Sequence, residues 1–287
     1  MTGGAATDLP VILGPAAMPE RRAPPPISLG RTLASPRFGF WLAACFLASL
    51  LASQALAAPG QLSIAATMLR WSPLILTGFA LNIAISFLAM AIGTAAGTFL
   101  GLAQISQLAA VRRASWLVTQ FFRNSPWLVL LFYCMLLLPF ELNFGRWQIP
   151  LPDWIKATFG LALPVMANMA ELVRGAVQSL PYGQWESAEA LAFTRRQTLW
   201  MIVLPQCVRR MTPPWMNLYA ILTVATPLCS IVGVNEAMTL TGDALAAEGR
   251  RELLVPMYLF LLVAFFLYCY PIARWTQTLE RKFAVKA

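Results

Sequence analysis

The sequence predicts an all-α integral membrane protein with about six transmembrane helices. Hydrophobic residues make up 59% of the 287 residues and charged residues only 11%, whereas about 25% charged residues is usual in soluble domains. Several apolar runs are long enough to cross roughly 30 Å of hydrocarbon as helices. The net charge of +9 does not indicate nucleic-acid binding, because the arginines fall in short pairs beside apolar runs, as in membrane proteins.

The N-terminal region differs in composition from the rest of the chain. Residues 1–36 are rich in proline, glycine and alanine without periodicity, which predicts a disordered cytoplasmic tail. Residues 37–73 are predicted to hold an extra transmembrane helix, at 38–58, and a periplasmic linker. The stretch 55–57 also fits a signal-peptide cleavage site, although the 37-residue leader is long for one. With or without cleavage, residue 60 lies outside and the later topology is unchanged.

The remaining apolar runs predict five more spans. The run at 126–140 is shorter than the ~20 residues that a span needs, so it must borrow residues from its flanks. Prolines inside or beside the spans predict kinked helices. In the second span, small residues at four-residue spacing favour close helix packing, either within the protomer or between two subunits. The five spans are 74–103, 126–140, 157–180, 213–238 and 253–273, and the small residues are Gly93, Ala96, Gly97 and Gly101.

The distribution of basic residues predicts the orientation. Fifteen arginines and lysines fall in one alternating set of connecting segments and five in the other. Cytoplasmic segments carry the excess of positive charge. Both termini and the polar segment 181–212 are therefore predicted to lie in the cytoplasm.

The polar segment 181–212 is predicted to contain a docking helix. Glu186 to Gln197 can form about three helical turns, in which Ala188, Leu191 and Ala192 share one face. Small residues on that face would let another protein surface approach closely. Leu204-Pro205 is then predicted to end the segment and redirect the chain.

Several blocks of sequence resemble one family in the same order. E-x-A at 186–188, the small residue Ala192 and I-x-L-P at 202–205 resemble the EAA loop of ABC-importer permeases. The stretches that resemble polar amino-acid permeases in particular are F-F-R-N-S-P at 121–126, A-E-L-V-R-G at 170–175, P-Y-G-Q at 181–184, L-P-Q at 204–206 and P-P at 213–214. The chain is thus identified as a member of the permease subunits of polar amino-acid ABC importers, of the histidine/glutamine/glutamate type.

This resemblance implies a type I ABC importer permease fold over residues 74–287, with a cytoplasmic coupling loop at 181–212. It implies a bacterial inner-membrane subunit that moves polar amino acids or similar small zwitterions. Its partners would be two ATPase subunits, a second permease subunit (identical or paralogous) and a periplasmic substrate-binding protein. The ATPase-coupling residues would be Glu186, Ala188, Glu189, Leu191, Ala192, Arg195, Arg196, Ile202, Leu204 and Pro205.

The chain departs from the family at two places. Ala192 stands where the family usually has glycine, and E-A-A reads E-S-A. In the stretch that resembles K-D-T-S-L, the lysine, aspartate and serine positions are Val224, Ala225 and Pro227. If that stretch lines the translocation path, Thr226 is its remaining polar residue and a partner permease supplies the charges.

Glu171 and Arg174 are the charged pair of the fourth span. At i, i+3 spacing they can pair on one side of a helix, and charges in a span are retained only for a reason because they are costly there. They either form a structural ion pair or line the path of the substrate. Both alternatives stay open.

The sequence predicts neither an enzyme nor a cofactor. It lacks a phosphate-binding G-x-x-x-x-G-K-[ST] motif, so ATP hydrolysis is assigned to a partner chain. It has no histidine, and its five cysteines form no C-x-x-C pair, so no metal site is predicted. A secondary transporter would need inverted repeats and membrane carboxylates, yet no repeat is clear and Glu171 is taken as the only strong mid-span carboxylate. A membrane scaffold would explain the spans but not the ordered motifs.

Overall fold

The computed structural model describes residues 62–144 and 147–283, together with positions 41, 44 and 48. Those residues are helical apart from one antiparallel hairpin. The predicted tail at 1–36, and nearly all of the predicted first span at 38–58, lie outside the described residues. The elements are α1 (Ile64–Gln104), α2 (Ala109–Asn124), α3 (Trp127–Leu137), β1 (Glu141–Phe144), β2 (Trp147–Pro150), α4 (Asp153–Gln178), α5 (Gly183–Ala190), α6 (Arg195–Val232), α7 (Ala237–Glu248) and α8 (Leu254–Phe283).

Three helical segments of the described chain are long and apolar enough to cross a membrane. They are α1, α6 and Arg251–Lys282, which contains most of α8. The 26 residues of α4 would extend about 39 Å, but that helix also carries four charged side chains. Each of the five predicted spans after the first overlaps a helix. The predicted membrane-embedded, helical fold class is confirmed.

Helix α1 begins earlier than the predicted span 74–103. Ser63 caps it by accepting a hydrogen bond from Ala66 N (3.2 Å), and the helix then runs for 41 residues. A hydrogen bond holds these extra turns against α7: Trp71 Nε1 donates to Glu248 Oε1 at the end of α7 (2.8 Å). The sequence placed the boundary by hydropathy alone, which does not register this contact.

The row of small residues on α1 packs against α4 within the protomer. A Cβ atom added at Gly101 would stand 2.7 Å from the carbonyl oxygen of Ala170, and one at Gly93 would stand 3.0 Å from that of Ala162. Distances this short are not tolerated by a side chain, so only glycine lets the two backbones approach so closely. This settles the open alternative in favour of packing inside the protomer. The seam adjoins the largest buried cluster, which includes Ile85, Leu131, Leu161, Val165 and Leu222.

The third predicted span, 126–140, contains the short helix α3. α3 has only 11 residues, about 17 Å, and α2 precedes it across Ser125 and Pro126. Pro126 has no N–H and an extended backbone (φ −61°, ψ 132°), which interrupts the helical hydrogen bonds there. By itself α3 is shorter than a span needs, and which flanking residues complete the span stays a prediction.

The hairpin β1–β2 joins α3 to α4 and pairs Glu141 with Pro150 through Phe144 with Trp147. Just before it, the Phe140 ring lies 3.5 Å from Lys156 Nζ, measured to the ring centroid. The Lys156 side chain is fully buried in α4, with Asp153 Oδ1 at 3.4 Å. A cation over an aromatic face is a favourable contact, so this lysine ties the base of the hairpin to α4.

Helix α6 is continuous through Pro205, so the prediction that Leu204-Pro205 redirects the chain is wrong. A π-helical stretch at Thr198–Val203 precedes the proline, and such stretches change the local hydrogen-bond register. Gln206 Nε2 also donates to Ile202 O (3.0 Å), giving the backbone of that turn a side-chain partner. The proline is thus accommodated inside a long helix, directly after the change of register at the π-helical stretch.

Candidate functional site

The polar segment between α4 and α6 forms a short helix and then a tight turn. Phe193 N–H donates to Ala188 O (3.0 Å) and Ala192 N–H donates to Glu189 O (2.9 Å), the Schellman pattern of helix termination. Ala192 has the positive φ of 59° that this pattern needs and that glycine usually provides. The single helix predicted over 186–197 is therefore wrong, because α5 ends before this turn.

A new helix starts immediately after the turn. Thr194 Oγ1 accepts from Gln197 N (3.4 Å), while Gln197 Oε1 accepts from Thr194 N (2.8 Å). This reciprocal capping box satisfies the first free N–H groups of α6. The Arg195 guanidinium also lies 5.8 Å from the centroid of the Trp185 ring, so the start of α6 folds back over α5.

The predicted coupling residues do not share the expected face. The Ala188 side chain is 1% exposed and packs inward, whereas Leu191 is 71% exposed. Most of the set nevertheless lies on the surface of this segment. Exposed are Glu186, Glu189, Leu191, Ala192, Arg195, Arg196 and Pro205; Ile202 and Leu204 are half-buried.

The segment is attached to the end of α4. Arg210 Nη1 donates to Ser179 O (2.9 Å) and Ser179 Oγ (3.0 Å). Trp185 of α5 packs against a buried cluster drawn from the ends of α4 and α6, which comprises Ala176, Val177, Leu180, Val203 and Cys207. This apolar packing attaches α5 to the ends of α4 and α6.

Glu171 and Arg174 form the predicted ion pair. Arg174 Nε and Nη2 lie 3.2 and 2.5 Å from Glu171 Oε2, a two-pronged contact that is stronger than a single hydrogen bond. The Glu171 side chain is 12% exposed and that of Arg174 32% exposed. Both lie in the last two turns of α4, so they sit nearer to the end of the helix than a mid-span position.

Glu171 has two further partners that its spacing from Arg174 does not predict. Arg123 Nη1 lies 3.7 Å from Glu171 Oε2, and Gln120 Nε2 donates to Glu171 Oε1 at 3.2 Å. Arg123 belongs to the F-F-R-N-S-P stretch at 121–126, one of the blocks that resemble polar amino-acid permeases. The two family blocks that carry charge thus meet in one cluster, formed by Gln120, Arg123, Glu171 and Arg174 and called here the Glu171 cluster.

Thr226 lies in a second polar network, fully buried between α1, α6 and α7. Asn82 Nδ2 donates to Thr226 Oγ1 (3.0 Å) and to Glu236 Oε2 (2.8 Å). Glu236 caps α7 by accepting from the backbone N–H groups of Met238 and Thr239, at 3.0 and 3.1 Å. Thr226 and Glu236 are both 0% exposed. The structure thus places the Thr226 hydroxyl in a packed network and not on an open surface.

Glu236 corrects one element of the sequence argument. It lies within the predicted span 213–238, so Glu171 is not the only carboxylate inside a predicted span. Asn235, directly before it and ahead of an apolar-periodic stretch, is of a residue type that signals the start of a helix, and could have indicated a helix start at this position. No group of three or more His, Cys, Asp or Glu side chains within the described ranges is arranged to hold a metal ion.

Comparisons with known proteins place the chain in a family. Residues 93–285 match the family described as "Binding-protein-dependent transport system inner membrane component". The Bacillus subtilis (strain 168) protein YckA, named a probable amino-acid ABC transporter permease protein, is 32% identical over 212 residues, covering 74% of this chain and 90% of YckA. The Escherichia coli (strain K12) protein YhdY, named an inner membrane amino-acid ABC transporter permease protein, is 29% identical over 206 residues, covering 72% of this chain and 55% of YhdY.

Solved structures support the same fold. A structure titled "Crystal structure of an amino acid ABC transporter with histidines" aligns with a TM-score of 0.65 at 21% identity, covering 75% of this chain and 96% of that one. An inward-facing structure of the MetNI methionine ABC transporter aligns with a TM-score of 0.54 at 16% identity, covering 74% and 97%. The family match spans most of the described residues, and the chain belongs to the family of binding-protein-dependent transport system inner membrane components.

Proposed function

We propose that this chain is the membrane-spanning permease subunit of an ATP-driven importer for polar amino acids or similar small zwitterions. The observation that carries the proposal is the exposed helix α5, which projects acidic and apolar side chains between two membrane-length elements. The relatives named above, which are described as amino-acid permeases, support the substrate class. A separate ATPase would take α5 into a groove, a second permease subunit would complete the path, and a periplasmic binding protein would deliver the substrate.

The contacts around α5 suggest how ATP binding would reach the membrane. Closure of the ATPase dimer would shift α5, and the buried cluster beneath Trp185 would carry that shift to α4 and α6. The Arg210–Ser179 hydrogen bonds provide a second link between these two helices. The permease would then change between inward-open and outward-open states, because the ATPase binds them with different affinity.

A charge reversal on α5 tests the coupling. Glu186→Lys places a cation on the exposed face of the helix, and we expect substrate-stimulated ATP hydrolysis of the reconstituted complex to fall while membrane insertion stays normal. Glu280→Lys is the matched control, since Glu280 is also an exposed acidic residue near the end of a helix, α8. Equal ATP hydrolysis by wild type and Glu186→Lys would refute the coupling role of α5.

The proposed location is the bacterial inner membrane, with both termini and α5 in the cytoplasm. The excess of arginine and lysine in one set of segments supports this orientation. In a cysteine-free background, single cysteines at Gln148 and Gly249 should react with a label applied from the periplasm, while Gln197 should not. Labelling of Gln197 in intact spheroplasts would contradict the arrangement.

The substrate path is proposed to run beside the Glu171 cluster and the stretch around Thr226. The cluster supports this role because its two arginines exceed its one carboxylate, which leaves a positive charge available for a substrate carboxylate. Val224 is 62% exposed and replaces a charge of the family pattern, so a paralogous permease would supply polar contacts there.

A further inference from the structure

A large cavity opens where α1 ends and the coupling segment begins. Its volume is about 1240 Å³, and its walls come from the end of α1, the start of α2, the end of α4, α5 and the start of α6. Apolar walls are provided by residues such as Leu102, Leu108 and Val111, and polar ones by Gln104 and the basic side chains. The cavity is therefore amphipathic, with one part suited to hydrocarbon and another to a charged group.

The charge of the cavity is one-sided. Arg112, Arg195 and Arg196 line it, and none of its lining residues in the described chain is acidic. Arg112 Nη1 is held by Ser106 O at 2.9 Å, which orients the guanidinium beside the cavity. The Arg196 side chain forms no hydrogen bond or ion pair with the described residues. The three arginine side chains are exposed and form no ion pair within the described residues, so their guanidinium groups are available to bind an anionic occupant.

A buried amide oxygen adds a second requirement. Thr119 Oγ1 donates its proton to Ser115 O (2.9 Å), so it can only accept from the Gln104 side chain, 2.7 Å away. This fixes the Gln104 amide with its nitrogen towards Thr119. Gln104 Oε1 is buried without a partner, and such an acceptor is unfavourable unless a donor reaches it. Because this oxygen is shielded in the structure, an occupant with a hydrogen-bond donor would satisfy it after a shift of the Gln104 side chain towards the cavity.

We propose that this cavity binds the headgroup of an anionic phospholipid, with its phosphate on the arginines and a headgroup hydroxyl on Gln104 Oε1. Phosphatidylglycerol has this combination of groups. The assignment rests on the proposed orientation, in which the cavity lies at the cytoplasmic surface, where basic pockets between helices attract anionic lipids. The apolar walls favour a lipid over a soluble phosphate, because they would accommodate the first carbons of its acyl chains.

The position of the cavity gives the lipid a regulatory role. Arg195, Arg196 and Trp185 line the cavity and also belong to the coupling segment. A bound headgroup would therefore hold the start of α6 against the end of α1. The lipid would act on the position of α5 without contacting the substrate path.

The test is a lipid titration of the purified full-length chain, read by native mass spectrometry. Phosphatidylglycerol should bind, phosphatidylcholine should bind at least about tenfold more weakly, and Arg112→Gln should weaken phosphatidylglycerol by about tenfold, as expected for one lost charge-assisted hydrogen bond. Arg209→Gln is the matched control, since Arg209 is exposed on α6 and does not line the cavity; it should change binding by less than about twofold.

Four results would overturn the proposal. Equal binding of both lipids, or equal effects of the two arginine variants, would show that the cavity is not the site. Binding of glycerol phosphate as tight as that of phosphatidylglycerol would assign it to a soluble phosphate. Loss of bound lipid when the ATPase is added would assign the cavity to the ATPase. The titration itself needs no ATPase, so its outcome is separable from the Glu186→Lys test of coupling.

Discussion

Removal of the Glu171 carboxylate should destabilise the protein more than removal of either arginine. Glu171→Ala takes away the acceptor for Arg174, Arg123 and Gln120 at once. Hydrogen bonds to a charged group contribute about 1.5–3 kcal/mol each, but Arg174 and Arg123 are 32% and 46% exposed, so water partly replaces the lost partner. We expect a loss of about 2–3 kcal/mol, which corresponds to a melting temperature lower by roughly 5–10 °C.

The loss of stability in the two arginine variants should depend on the distance of each arginine from Glu171 and on its exposure. Arg174→Ala removes the two-pronged contact and should cost about 1–2 kcal/mol. Arg123→Ala removes a contact of 3.7 Å by a half-exposed side chain and should cost about 0.5 kcal/mol. Thermal unfolding of the purified chain in detergent measures all three. An equal loss in all three variants, or none in any, would refute this account of the cluster.

Exchange of the charges separates the structural role of the pair from a substrate role. In Glu171→Arg with Arg174→Glu the pair persists, but the new arginine faces Arg123, so the exchange alone should recover stability only in part. Adding Arg123→Gln removes that repulsion and should restore stability to within about 1 kcal/mol of Arg123→Gln alone. A purely structural pair predicts that this triple variant also recovers transport, whereas a stable variant that fails to transport indicates contact with the substrate. Normal assembly and normal uptake in both single alanine variants would contradict the two roles together.

Three further outcomes follow from close packing, backbone geometry and a buried network. Gly97→Ile should abolish folding, read as loss of the monodisperse peak in size-exclusion chromatography, because its side chain would meet α4, whereas Ala95→Ile on the exposed side of α1 should be tolerated. Ala192→Gly should raise the free energy of unfolding by about 0.5–1 kcal/mol, because glycine adopts a positive φ without strain. The control Ala190→Gly, inside α5, should lower the free energy of unfolding by a similar amount. Shifts of the same sign in the two variants would contradict this. Asn82→Ala should lower the melting temperature by roughly 4–8 °C, since it removes a donor from the buried carboxylate that caps α7, and an unchanged melting temperature would show that the network contributes little.

Hydropathy identified the membrane-length elements but not their ends. The apolar runs located α1, α3, α4, α6 and α8, because burial in hydrocarbon selects for composition over whole helices. The start of α1 depends on the hydrogen bond that Ser63 accepts as its cap. The continuity of α6 depends on the local backbone geometry of the π-helical stretch before Pro205. The average hydropathy of a segment depends on neither of these features.

The sequence predicts contacts within one helix of the candidate sites, but not contacts between helices. The spacing of Glu171 and Arg174 predicts their pairing because one helical turn separates them, but Arg123 comes from another helix and joins only through tertiary packing. The end of α5 was misplaced because helix propensity favours alanine at position 192. The family usually has glycine at this position, which indicates a residue in the left-handed conformation. Such a residue ends a helix, so the comparison with the family could have placed the end of α5.

The packing of α1 against α4 bears directly on how a signal from α5 would reach the membrane. Glu171 precedes Ser179 by eight residues, which places the Glu171 cluster about 12 Å along α4 from the hydrogen bonds that attach the coupling segment. The carbonyl of Ala170, next to Glu171, is also one of the groups that approach α1 at Gly101. Because backbones in such contact cannot slide without steric clash, α1 and α4 should move as one body. A displacement of α5 would then reach the Glu171 cluster along α4, and the contacts of Glu171 with Arg123 and Gln120 would carry it on to α2.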